Sequence, residues 1–174
     1  MELVRRFSQE AYQSALEDWA WLDPVSRLTP SFTNPFGDVF LESDEGAVWF
    51  LDSRNGTVER LWPDVAALQA ELVESYAHDR FFMAVLAQSA HEVGLVPGPT
   101  DVLGFKTAPV LGGALALDNL EIADFEVTLS IAGQIHDQLR DVPPGTPITG
   151  VSFGGAASPG NAVKRKDSFW RRRK

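Results

Sequence analysis

The sequence contains no cysteine. That excludes a disulfide framework and any Cys-bearing zinc site, so burial must hold the fold. No apolar run approaches the ~18 residues of a membrane-crossing helix. The start, Met1-Glu2-Leu3-Val4-Arg5-Arg6, lacks an apolar stretch of the secretory type, so a cytoplasmic protein is expected. Basic residues are scarce over most of the length. Residues 1–150 hold 8 Lys/Arg against 23 Asp/Glu, a formal charge of −15. Residues 151–174 hold seven basic residues and one acid, a charge of +6. The net charge of −9 therefore conceals an acidic body and a short basic tail. Such a body repels nucleic acid and anionic membranes and attracts basic partners.

Recognisable catalytic motifs are also lacking. The three histidines are His78, His91 and His136. None forms HExxH, because Leu95 stands where the second ligand of His91 would be. There is no G-x-S-x-G elbow, although spacing alone does not decide against a Ser-His-Asp triad. Gly98 to Lys106 imitates a phosphate loop but fails its spacing: five residues separate Gly98 from Gly104, and Phe105 precedes Lys106. Acid pairs such as Glu17-Asp18, Asp44-Glu45 and Asp137 with Asp141 arise freely in so acidic a chain. They read as a solvated face, or as a face aimed at a basic partner. No catalytic residue, metal or cofactor is expected.

What is present is a folded composition, 44% hydrophobic and 22% charged over 174 residues. A chain of this length can bury roughly 70% of its unfolded surface. A helix is predicted over Gln9–Trp19, capped by Ser8, with Tyr12, Leu16 and Trp19 on one face. Asp23-Pro24 ends it. Residues 29–35, with two prolines, read as loop or irregular edge strand. Three strands follow at Val39–Leu41, Val48–Leu51 and Thr57–Leu61, the last entered through an Asn55-Gly56 turn. The first two are apolar on both faces and need cover on both sides. Pro63-Asp64 starts a helix carrying Val65, Leu68, Leu72 and Tyr76 on one face. A second spans Asp79–Val93, with Phe82, Leu86, Ala90 and Val93 inward and Gly94 closing it. Gly104–Gly113 reads as a short strand and a glycine turn. A last helix, Asp124–Leu139, places Phe125, Leu129, Ala132, His136 and Leu139 on one stripe.

The expected fold is thus α+β: a small antiparallel β-meander flanked by helices, with a flexible basic C-terminal tail. Residues 1–142 form the domain, with helix and meander in 1–62 and a mostly helical half in 63–142. Residues 143–174 are the Pro/Gly-rich tail, with Ile148–Phe153 able to lie against the body. Its Lys164, Arg165, Lys166, Arg171, Arg172, Arg173 and Lys174 surround Phe169 and Trp170. These charges could meet phosphates, with the aromatics stacking on bases or entering a membrane interface. They could equally fold back on the acidic body.

Three ordered segments carry a family resemblance. Asn34-Pro35-Phe36-Gly37-Asp38 leads into an apolar strand and then Ala47-Val48-Trp49-Phe50-Leu51-Asp52. Leu103-Gly104-Phe105 is followed by Pro109-Val110-Leu111-Gly112-Gly113, and Asn119-Leu120-Glu121 leads through Asp124-Phe125-Glu126-Val127 to Gln134-Ile135-His136. Over residues 20–139 this pattern resembles the Tdi-type immunity proteins of bacterial type VI secretion, with their GAD-like N-terminal region. The resemblance implies a non-enzymatic cytoplasmic protein that binds and neutralises a cognate effector, a basic DNase. It also implies a toxin-contacting surface at Gly104, Phe105, Pro109, Leu111, Gly112 and Gly113; read as plain structure, the same residues make a strand end and a tight turn. The basic tail lies outside the family pattern. Two other readings stand beside this one: an adaptor binding nucleic acid or an anionic surface through the tail, and a hydrolase built on a carboxylate or histidine pair.

Overall fold

The computed structural model describes residues 2–143, 146 and 150–153. Helix α1 spans Gln9–Glu17, and the Ser8 side chain accepts the Ala11 amide at 3.1 Å, as its sequence position predicts. After a cis peptide at Asp23-Pro24, four strands run antiparallel in chain order: β1 Thr29–Thr33, β2 Val39–Glu42, β3 Val48–Asp52 and β4 Thr57–Trp62. The proline-bearing segment is indeed an edge strand, and its register shifts between Pro30 and Phe32. Proline is tolerated there because an edge leaves amide positions without ladder partners. A single bridge from Arg5 to Thr33 covers part of that edge.

The meander is covered on both faces, as its two-sided apolar strands require. Val39, Leu41 and Leu51 pack on one side with Tyr12 and Trp19 and with Phe125 and Leu129. Phe40, Val48 and Phe50 pack on the other with Trp62, Leu68, Phe81 and Phe82. The register Phe40↔Phe50 and Val39↔Leu51 keeps each set on its own face.

The Asn55-Gly56 turn differs from its expected two-residue form. Asp52 pairs with Thr57, so four residues make the connection, and of Asn55 and Gly56 only Gly56 has positive φ, at 67°. The reason is Asp52, whose carboxylate accepts the amides of Arg54 and Asn55, each at 3.1 Å. This local side-chain acceptor sets a wider turn than Asn-Gly alone would choose.

Beyond the meander, the two expected helices are three: α2 Val65–Glu71, α3 Ser75–Phe82 and α4 Ala84–Glu92. The break between α3 and α4 falls at Met83, a non-glycine residue with φ 45° and ψ 49°. Asp79 supports it from both atoms that matter: its carbonyl accepts the Met83 amide at 3.0 Å and its carboxylate accepts the Val85 amide at 3.2 Å. The kink sends Phe81 and Phe82 to the sheet and Ala87 and Ala90 to a third cluster with Phe36, Leu103 and Leu120. Tyr76 and Val93, expected inward, are exposed because each sits beyond the turn that would have aligned it.

Strand β5 (Asp101–Phe105) pairs antiparallel with β6 (Leu120–Asp124) in a separate ribbon. Helix α5 (Phe125–Leu139) follows at once, capped by Asp124 through the Val127 amide at 3.1 Å. It packs tightly on α1. Trp19 donates its indole Nε1–H to the Leu129 carbonyl at 2.8 Å, and a Cβ added at Gly133 would sit 2.6 Å from the Asp18 carbonyl oxygen. The obstacle is backbone, which cannot swing aside. Gly133→Ala is therefore expected to cost about 1–3 kcal/mol, read as a lower urea midpoint at unchanged m-value.

Candidate partner-binding site

The segment Asn34–Asp38, read above as a family signature, builds the foundation of the site. The Asn34 side-chain oxygen accepts the Phe36 amide at 2.9 Å and the Asp38 amide at 3.0 Å, while Gly37 takes φ 94°. The Asn34 amide donates to Asp38 and to the Phe81 carbonyl, both at 2.8 Å. Asp38 is fully buried and accepts from the Ser53 amide at 2.8 Å and hydroxyl at 2.7 Å. Arg54 lies 3.5 Å from Asp38 and 3.1 Å from Asp52. Burial raises the Asp38 carboxyl above its usual range, and Arg54, Ser53 and Asn34 act to lower it. This hub locks the β3–β4 turn against β2, so Ser53 and Arg54 are presented rigidly to their neighbours.

The second part is the connection from β5 to β6. One side chain organises it. Asn119 accepts the Thr107 amide at 3.0 Å and donates to the carbonyls of Thr107 and Ala114, both at 2.9 Å. Ala108 accepts the amides of Leu111 and Gly113, closing a single turn over Pro109–Leu111. Gly112 needs its positive φ of 93°, and a side chain at Gly113 would run into the Thr107 carbonyl. The glycines thus shape the loop and leave Val110 and Leu111 on its crest, with Val110 exposed.

Between this loop, the ribbon and α5 lies an open apolar groove of about 220 Å³. Gly104, Phe105 and Pro109 line it, along with Phe36, Ala123 and the α5 residues Val127, Ile131 and Ile135. A Cβ on Gly104 would stand 3.0 Å from that of Ala123, so glycine keeps this wall low. Leu111, Gly112 and Gly113 do not line the groove; they form the loop beside it. Val127 and Ile131 are 55% and 36% exposed. Neither belongs to the partner-binding set that the resemblance implies, and both lie off the core stripe of α5. Their spacing of four, on a helix whose core stripe is already filled, is the signal that marks them.

Polar groups meet at one end of the groove. Arg54 and His136 line it, and His136 Nε2 lies 3.0 Å from the Ser53 carbonyl. Burial lowers the His136 pKa below its ordinary value, while backbone bonds at Ser53 and Arg54 and the charge of Asp52 act to raise it. A lowered folded pKa means that the unfolded chain takes up a proton first. Stability from this group is present above about pH 6.5 and is lost as pH falls through the lower folded value. Subtracting the denaturation curve of His136→Gln from that of the unaltered protein, at each pH, is expected to reveal that loss.

The three histidines are not brought together. His78 Nε2 lies 2.8 Å from the Leu72 carbonyl on an exposed surface, and His91 borders a different pocket beside Arg5. Asp38 and Asp52 do approach one another, but both are engaged by Arg54 and by amide donors. Among the described residues, no group of three His, Asp or Glu side chains is placed to hold a metal ion. Nor, among them, is any helix long and apolar enough to cross a membrane.

Residues 64–136 match the family model for the T6SS immunity protein Tdi1, C-terminal. Over this segment the chain is similar to the C-terminal domain of the Tdi1 immunity proteins. The match opens at Asp64, the cap of α2, and closes at His136 in α5. It therefore takes in the ribbon, the loop and the α5 wall of the groove, while Phe36, Ser53 and Arg54 lie outside it. The function class this Tdi1 match supports is type VI secretion immunity. No curated protein sequence matches the chain. Among solved structures, the chain is similar to the crystal structure of Atu4351 from Agrobacterium tumefaciens, with a TM-score of 0.56 at 17% identity. The similarity covers 76% of this chain and 66% of that one, so the chain spans about two thirds of that structure's length. At this identity the likeness concerns fold alone.

Proposed function

We propose that the protein neutralises a cognate type VI secretion DNase effector in the cytoplasm by binding it, without catalysis of its own. The surface proposed for the contact is the groove with its adjoining loop, Gly104, Phe105, Pro109, Leu111, Gly112 and Gly113, joined by Val127 and Ile131. The observation that carries the reading is an exposed apolar pair on a rigid wall, within the family-matched segment. An interface needs such a desolvated centre with a polar rim. The surrounding segment is acidic, with seven Asp/Glu against Lys106 and Arg140 in residues 101–142, and the groove itself is lined by Glu121 and, at one end, Arg54. A DNase needs a basic face for its substrate, and an acidic partner finds that face quickly and occupies it. Residues 1–62, GAD-like in the Asn34–Asp38 turn, serve in this reading as the platform that holds the groove in shape.

The test is co-expression with the neighbouring effector. Rescue of growth, a stable complex on gel filtration and loss of nuclease activity in that complex are the expected results. Failure to rescue together with no complex would sink the proposal.

A further inference from the structure

We infer that the groove is a subsite for one aromatic side chain of the bound partner, with a neighbouring Lys or Arg of that partner paired to Glu121. Size points to a single side chain. The groove holds about 220 Å³, less than the ~300–1,000 Å³ of sites that enclose a whole small molecule. Small residues keep it empty: Gly104, Ala108, Ala123 and Ala132 all line it. An aromatic ring has a surface to meet there. Phe36 and Phe105 line the groove as a stacked pair, with centroids 5.8 Å apart and 18° between their planes. Phe36 is buried and Phe105 only half-buried, so a third ring can extend the stack or meet Phe105 edge-on. Val127 and Ile131 supply branched apolar contacts from the α5 wall.

Charge selects the neighbour of that ring. The ionisable residues lining the groove are Arg54, Glu121 and His136. Arg54 is already engaged, 3.1 Å from Asp52 and 3.5 Å from Asp38, and His136 turns Nε2 to the Ser53 carbonyl. Glu121 differs. It is exposed, and among the described residues it has no ion-pair partner. Its cross-strand partner is Gly104, so no opposing side chain covers its stem; a Cβ there would lie 4.0 Å from Glu121 Cγ. A partner that seats a ring beside it meets a bare carboxylate at the border of the groove. An acidic neighbour would be repelled and a neutral one would leave Glu121 unpaired. Lys and Arg lay their stems on apolar surface while their heads reach a carboxylate. That the partner is an effector rests on the proposed function, whereas the chemistry of the subsite does not.

The full chain, with isotope-labelled methyl groups, is titrated with the end-capped tripeptide Lys-Trp-Lys. The signals of Val127, Ile131 and Ile135 are expected to shift and to saturate at about millimolar concentration. Lys-Ala-Lys should not shift them, and Glu-Trp-Glu should bind about tenfold more weakly or worse. Glu121→Gln is expected to weaken Lys-Trp-Lys about two- to fivefold, the share of an exposed ion pair. Glu45→Gln, which neutralises a charge in the β2–β3 turn at the far end of the meander, should leave it unchanged. Both acids are exposed, and the same spectra report whether each variant is folded. No shift at the three methyls, or an equal shift with Lys-Ala-Lys, overturns the inference. So does an equal loss in the two variants, which would make the attraction a property of the whole acidic surface. The effector supplies the last measurement. Lys-Trp-Lys at ten times its Kd is expected to raise the effector's apparent Kd about tenfold, with Lys-Ala-Lys at the same concentration as the control. A neutralising complex indifferent to the tripeptide overturns the inference and leaves the immunity reading standing. Tripeptide binding with no effector complex overturns that reading and leaves the subsite in place.

Discussion

Asp38→Ala is expected to lower the stability of the protein by about 3–5 kcal/mol, the cost of breaking a buried ion pair from one side. The alanine would leave the Ser53 amide and hydroxyl and one donor of Asn34 without their acceptor, and would take away one of the two carboxylates beside Arg54, which keeps only Asp52. None of these can turn to water, because Ser53 and Asn34 are buried and the Arg54 side chain is only 14% exposed. A domain of this size has a net stability of about 5–15 kcal/mol, so the loss is a large share of the whole. Urea denaturation reads it directly. Asp38→Asn keeps the shape and one acceptor, and should recover part of the loss. A change below about 1 kcal/mol for the alanine variant would show that the hub does not hold the β3–β4 turn.

A second large effect is expected on binding with little on stability. Val127→Lys combined with Ile131→Lys puts two cations where the proposed basic partner would close. Both side chains are already exposed, so the fold loses little buried area and the thermal midpoint should move by no more than a few degrees. Affinity for the effector should fall by about 100-fold or more, since desolvated apolar anchors at an interface centre each contribute about 2 kcal/mol or more. Calorimetry with the purified effector measures the first quantity and differential scanning the second. Undiminished affinity would place the contact elsewhere on the acidic surface, and the β5–β6 loop would then be the next surface to alter.

Much of this arrangement was legible in the residues, for local reasons. Ser8, Asp64 and Asp124 mark helix starts because a side-chain oxygen three residues before an unpaired amide meets it wherever the chain lies. Val39–Leu41 and Val48–Leu51 had to be covered twice, and α1 with α5 on one face and α2 with α3 on the other supply that cover. The loop glycines were also visible, although their work is to shape the loop. Three features were not legible. Asp79 supports a left-handed Met83 through contacts on both sides of a break that no proline or glycine announces. Strand β6 is recognised only by its pairing with β5, which lies across a long loop closed by Asn119. The groove needs Phe36, Arg54, Phe105 and Ile131 together, four residues from separate parts of the chain.

By itself, then, the amino-acid order determined where most helices start, which segments form the meander, which faces must be buried, and how charge divides between residues 1–150 and 151–174. Those properties depend on near neighbours and on composition. Where the helices break, which strands meet and which apolar residues remain uncovered were decided by the tertiary structure alone. Each depends on atoms brought close by packing, and no spacing along the chain encodes that proximity.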